Sequence, residues 1–167
     1  MSFQESTKIL VVFFSRTGTT KEVAREISSH FGCELEELVD TKRRGGLIGW
    51  LVSGKDAIKK CLTEIEKPKH PIKNYQLIIV GTPVWVGTVS TPVRTYLEML
   101  KDSPAALAFF TTSTTGKYET LFSEMEELCG KRALATLTLK TKEVKTKKHH
   151  EKVKKFVDEL KSHFEEN

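Results

Sequence analysis

Six consecutive apolar residues, Ile9–Phe14 (ILVVFF), stand between Lys8 and Ser15. The run is too short to cross a bilayer. It has no polar alternation that would let one face meet water, so it reads as a strand buried on both faces. Such a strand needs helices above and below it, and the rest of the chain supplies them. Val23, Ala24, Ile27 and Phe31 fall at helical spacing within Thr19–Phe31. A short, weak strand is expected at Glu34–Leu38, further core strands at Tyr75–Val80 and Ala105–Phe110, and a last one at Arg132–Leu139. Helical stripes mark Thr91–Lys101, Glu119–Leu128 with Gly130 as its cap, and His149–Phe164. This alternation predicts an α/β fold: a five-stranded parallel doubly wound sheet between two helical layers, over residues 1–167 as one domain.

Composition narrows the class. The three cysteines, Cys33, Cys61 and Cys129, form no CxxC pair, and no metal site is expected. An odd cysteine count and an N-terminus without a signal-like apolar stretch suggest reduced thiols and a cytoplasmic location. The net charge of +5 is carried entirely by residues 131–167, which hold 11 Lys/Arg against 6 Asp/Glu. That segment lacks the interleaved aromatics of a single-strand platform, so it reads as a solvated face and no nucleic-acid partner is expected.

In an open parallel sheet, ligands bind beyond the carboxyl ends of the strands at the topological switch point. The loops richest in Thr, Ser and Gly all follow strands at that edge: SRTGTT (15–20), TPVWVGTVSTP (82–92) and TTSTTGKY (111–118). In strand order 2-1-3-4-5 they are neighbours. Ser15, Arg16, Thr17, Gly18, Thr19 and Thr20 run into a helix, where free backbone N–H groups and the helix dipole favour an anion. Gly18 permits close backbone approach. There is no Walker lysine, which suits a phosphate that is held rather than transferred; otherwise the stretch is a Thr-rich turn with one capping hydroxyl. Trp85 is either tucked over the core or offered as a flat surface, and Tyr118 poses the same question. Two aromatics flanking a phosphate site suggest a planar ring between them, hence a nucleotide-like ligand.

The [ST]-x-T-G-x-T pattern at Ser15–Thr20, between a strand and a helix, resembles the phosphate loop of the flavodoxin family, and the likeness spans nearly the whole chain. The resemblance implies a flavodoxin-like three-layer sandwich and FMN as cofactor, its phosphate on residues 15–20. It also implies that Thr82, Pro83, Val84, Trp85, Val86 and Gly87 form the second flavin loop. Trp85 would stack on the ring, and the peptide joining Val86 to Gly87 would bond the flavin N5. Thr112, Ser113, Thr114 and Gly116 would meet the pyrimidine edge, with Tyr118 over the other face. Two features depart from the family. The chain is basic where flavodoxins are acidic. Arg43–Leu62 is long, Gly-rich and apolar, and reads either as the second helix or as an exposed flap for homodimerisation or docking.

None of the five histidines, His30, His70, His149, His150 and His163, falls in the three loops, and their only charges are Arg16 and Lys117. No acid or base converges there, so no catalytic residue is expected. A receiver domain is disfavoured because Phe14, Ser15 and Arg16 stand where it needs acids. Three readings remain: an electron-transfer protein cycling FMN through one-electron steps, serving a redox partner protein or a small donor or acceptor; an FMN-dependent NAD(P)H or quinone reductase; and a binding module without flavin.

Overall fold

The computed structural model describes residues 7–41, 62–116 and 118–165. β1 (Ile9–Phe13) leads into α1 (Thr19–Phe31), and β2 (Glu34–Glu37) follows. After a 3-10 turn at Ile72–Asn74 come β3 (Leu77–Trp85), β4 (Thr88–Val89) and α2 (Thr91–Met99). β5 (Ala106–Ser113), α3 (Glu119–Cys129), β6 (Ala133–Lys140), α4 (Thr141–Lys145) and α5 (His150–Glu165) complete the chain. The sheet order is β2-β1-β3-β5-β6, and every pairing on this path is parallel. This is the expected five-stranded order. The sixth strand, β4, folds back antiparallel on β3.

β1 shows why the opening run has no polar face. Successive residues point to opposite sides of the sheet. Ile9, Val11 and Phe13 join the cluster under α1 and α5, with Val23, Ile27, Val153 and Phe156. Leu10 and Val12 join the cluster under α2 and α3, with Val93, Tyr96, Leu97 and Met125. All five β1 side chains are buried.

β3 runs five residues past the expected end at Val80. Gly and Pro at 81 and 83 signal a break, yet both fit here. β1 pairs with β3 only as far as Gly81, so Pro83 lies beyond that neighbour and its missing N–H costs no ladder bond on that side. β3 continues beside β5, with Thr82 opposite Thr111 and Pro83 opposite Thr112. Gly81 sits under an aromatic ring: a Cβ there would lie 2.0 Å from Phe110 Cζ.

Arg43–Leu62 lies outside the described residues except for Leu62, and the two readings of that segment go with it. No helix among the described residues is long and apolar enough to cross a membrane.

Candidate functional site

A cleft of about 480 Å³ opens at the carboxyl edge of the sheet. Its walls come from Arg16, Thr17, Thr19 and Thr20, from Pro83–Gly87, and from Thr112, Ser113, Thr114, Tyr118 and Thr141. The three loops named from sequence therefore meet in one place.

The first wall is a bare helix start. Gly18 occupies the N-cap of α1 with φ 94°, in the left-handed region, and no side chain caps the helix. A glycine takes that conformation without the penalty a Cβ would bring. Ser15 is engaged within the loop, where its Oγ accepts the Gly18 N–H at 3.1 Å. Thr17 and Gly18 are exposed and Thr19 is half-buried, so the first-turn donors of α1 and two hydroxyls face the opening. Thr20 is 1% exposed and shares a 2.8 Å hydrogen bond with Thr112 Oγ1, tying this wall to the third loop.

The second wall is a hairpin, not the open loop read from sequence. Trp85 pairs with Thr88 and Val84 with Val89, leaving Val86 and Gly87 as a two-residue turn. Both have positive φ, 49° and 75°, as a type I′ turn requires. A β-branched residue there is a true outlier, and the conformation costs of order 1–3 kcal/mol. Val86 is nevertheless the exposed tip, while Trp85 packs edge-on against Phe14 with ring centroids 5.4 Å apart. Trp85 thus meets both expectations: its ring is anchored on the core and also lines the cleft.

A buried polar network lies behind the hairpin. Thr88 donates to both carboxylate oxygens of Glu124 at 2.7 Å and accepts from Arg94 at 2.9 Å, and Arg94 forms an ion pair with Glu124. Arg94 is 3% exposed, so its charge depends on this partner. Thr82 belongs to the same support rather than to the cleft wall. Its hydroxyl donates to Pro83 O and lies 2.8 Å from Ser90 Oγ, fixing the entry to α2.

The third wall follows β5. Gly116 donates to Ser113 Oγ at 2.8 Å and turns the loop with φ 70°. A Cβ at Gly116 would meet Lys140 Cγ at 2.7 Å, so this glycine shapes the loop from behind. Tyr118 is half-buried, and its Cε1 lies 3.9 Å from where a Cβ on Gly87 would stand, which brings the second and third loops together. Lys117 lies outside the described residues.

Thr141 was not anticipated. It opens α4 directly after β6, outside the three loops named from sequence. The same rule, a small hydroxyl residue at a strand-to-helix junction on this edge, identifies it. The Arg94–Thr88–Glu124 network had no such signal, because its members are scattered over three elements. Burial raises Cys33 to about 11 and pushes Cys129 up as well.

A parallel sheet in the order β2-β1-β3-β5-β6, with its cleft at the carboxyl edge, is a flavodoxin-like architecture. Neither protein-family models nor curated proteins give a match. Solved structures do. A flavoprotein in complex with FMN from Lactobacillus acidophilus NCFM is 26% identical at TM-score 0.69, covering 84% of this chain and 98% of that one. Flavodoxin 2 from Bacillus cereus is 18% identical at TM-score 0.59, over 95% of this chain and 100% of its own. A Fusobacterium nucleatum flavodoxin bound to flavin mononucleotide is 13% identical at TM-score 0.58, over 94% and 98%. The last two bear on the fold alone. The chain therefore has a flavodoxin-like fold.

Proposed function

We propose that this protein binds FMN in the cleft and acts as a flavodoxin-type electron carrier. The observation that carries the reading is the pairing within one cleft of an uncapped helix start, rich in donors, with two walls that bear Trp85 and Tyr118. The residues fit the cofactor. The Thr17, Gly18 and Thr19 segment would hold the phosphate, with Arg16 as the nearby cation. Trp85 and Tyr118 would flank the ring, and Thr112, Ser113 and Thr114 would face its polar edge. The Val86–Gly87 peptide would lie at the flavin N5. Bound FMN supplies the redox chemistry, and the protein supplies position and electrostatics.

None of the five histidines is among the cleft residues, and Arg16 is the one charged side chain among the described cleft residues. That favours electron transfer over a reaction needing a general acid or base. The partner is then a redox protein or a small donor or acceptor. Titrating flavin-free protein with FMN, followed by a redox titration of the complex, tests both parts. Saturable quenching of flavin fluorescence with two resolved one-electron steps supports the carrier. A single two-electron step with direct oxidation of NAD(P)H points to a reductase, and absence of quenching removes the flavin reading altogether.

A further inference from the structure

Away from the cleft, α1 and the start of α5 bring together three groups that the chemistry above does not use. Glu26 lies between two adjacent imidazoles. Its Oε2 is 2.8 Å from His149 Nε2, and its Oε1 is 2.9 Å from His150 Nδ1. One ligand atom from each of the three residues falls within 4.8 Å of the others, and the two rings are 4.3 Å apart.

His149 is the unusual member. Its side chain is 0% exposed, yet neither ring nitrogen has a hydrogen-bond partner among the described residues. The contact with Glu26 is close but out of line for a hydrogen bond. Burying an imidazole in that condition costs free energy that most structures avoid by pairing it. His150 is exposed and Glu26 is largely buried, so the cluster is open on one side only.

We propose that Glu26, His149 and His150 form a binding site for a divalent transition-metal ion of the zinc type. Two imidazole nitrogens and a carboxylate match three ligands of a tetrahedral zinc site, with the fourth position open to solvent through the exposed side. The donor set selects against magnesium and calcium, which require oxygen shells. The ion would satisfy the buried His149 nitrogen and join α1 to the start of α5. Ligands need only small side-chain movements to reach bonding distance, since their donor atoms already converge.

Calorimetric titration of the full-length protein with Zn²⁺ tests this, with Mg²⁺ as the control cation. The expected result is saturable binding of one Zn²⁺ per chain and none of Mg²⁺. Glu26→Ala and His150→Ala should each weaken Zn²⁺ binding more than about tenfold. Both replace side chains outside the fully buried core, so they avoid the folding risk of a change at His149. His30→Ala and His163→Ala, outside the cluster, should leave the affinity unchanged. No saturable Zn²⁺ binding, or binding that survives Glu26→Ala and His150→Ala unaltered, overturns the proposal.

Discussion

The first and second walls of the cleft are built in opposite ways. Ser15–Thr20 is organised largely by its own sequence: one glycine with positive φ, one serine hydroxyl folded back onto that glycine, and a helix left uncapped, with Thr20 bonded outward to Thr112. The Trp85–Thr88 hairpin is held by residues remote from it. Phe14 buttresses the tryptophan, and Arg94 and Glu124 hold Thr88 from two different helices. A local wall can recognise a small charged group, because backbone donors at a helix start need no distant support. On the proposed reading the second wall faces a large planar ring, which demands placement to within fractions of an ångström, and tertiary contacts hold this wall in place while keeping Val86 in a costly conformation.

The largest test of this contrast is Glu124→Ala. It strands the buried Arg94 guanidinium and removes the acceptor of Thr88, and should lower unfolding free energy by about 3 kcal/mol in urea titrations. On the proposed reading the hairpin faces the flavin ring, so weaker binding of FMN and riboflavin alike is expected. Unchanged stability would show that the hairpin is locally determined after all. Thr20→Val comes next. It leaves the buried Thr112 hydroxyl without its partner, for a loss of about 1–2 kcal/mol, whereas Thr20→Val with Thr112→Val removes both groups and should lie closer to wild type. Additive losses in that pair would contradict the bond as drawn.

Val86→Gly should stabilise the protein by up to about 1 kcal/mol, because relief at positive φ exceeds the entropy cost of glycine. A lower melting temperature would mean the turn is not strained. The smallest effect concerns Glu143, in α4 beside the cleft residue Thr141. The Lys152 side chain, and then the Lys140 backbone N–H, hold its carboxyl below the usual glutamate range. Its contribution is therefore present above the ordinary value near ~4.3 and fades as pH falls through the lower folded-state value. Glu143→Gln should remove that small contribution at neutral pH, flatten that part of the acid unfolding curve and leave stability at low pH nearly unchanged.

The same contrast explains what could be read from the sequence. The two-faced burial of Ile9–Phe13, the parallel sheet and the Thr-Gly loop follow from local composition, period and the alternation of elements, so they were legible. The hairpin was not. Gly81 and Pro83 signal a loop by local rules, and only the early end of β1 and the ring of Phe110 make a strand possible there. Trp85 could not be assigned to core or surface because it serves both. The Arg94–Glu124 pair and the Glu26–His149–His150 cluster each join residues far apart in the chain, and no spacing rule points to them.

The most direct test of the account is the ratio of FMN to riboflavin affinity in wild type and in Thr17→Ala/Thr19→Ala, measured by flavin fluorescence quenching. The two flavins differ only in the phosphate, so the ratio isolates the first wall. The account predicts a strong preference for FMN in wild type, falling by about a hundredfold in the double variant, with riboflavin affinity and protein stability nearly unchanged. Equal affinity for the two flavins in wild type, or a preference that survives the double substitution, would contradict the assignment of the phosphate to this loop.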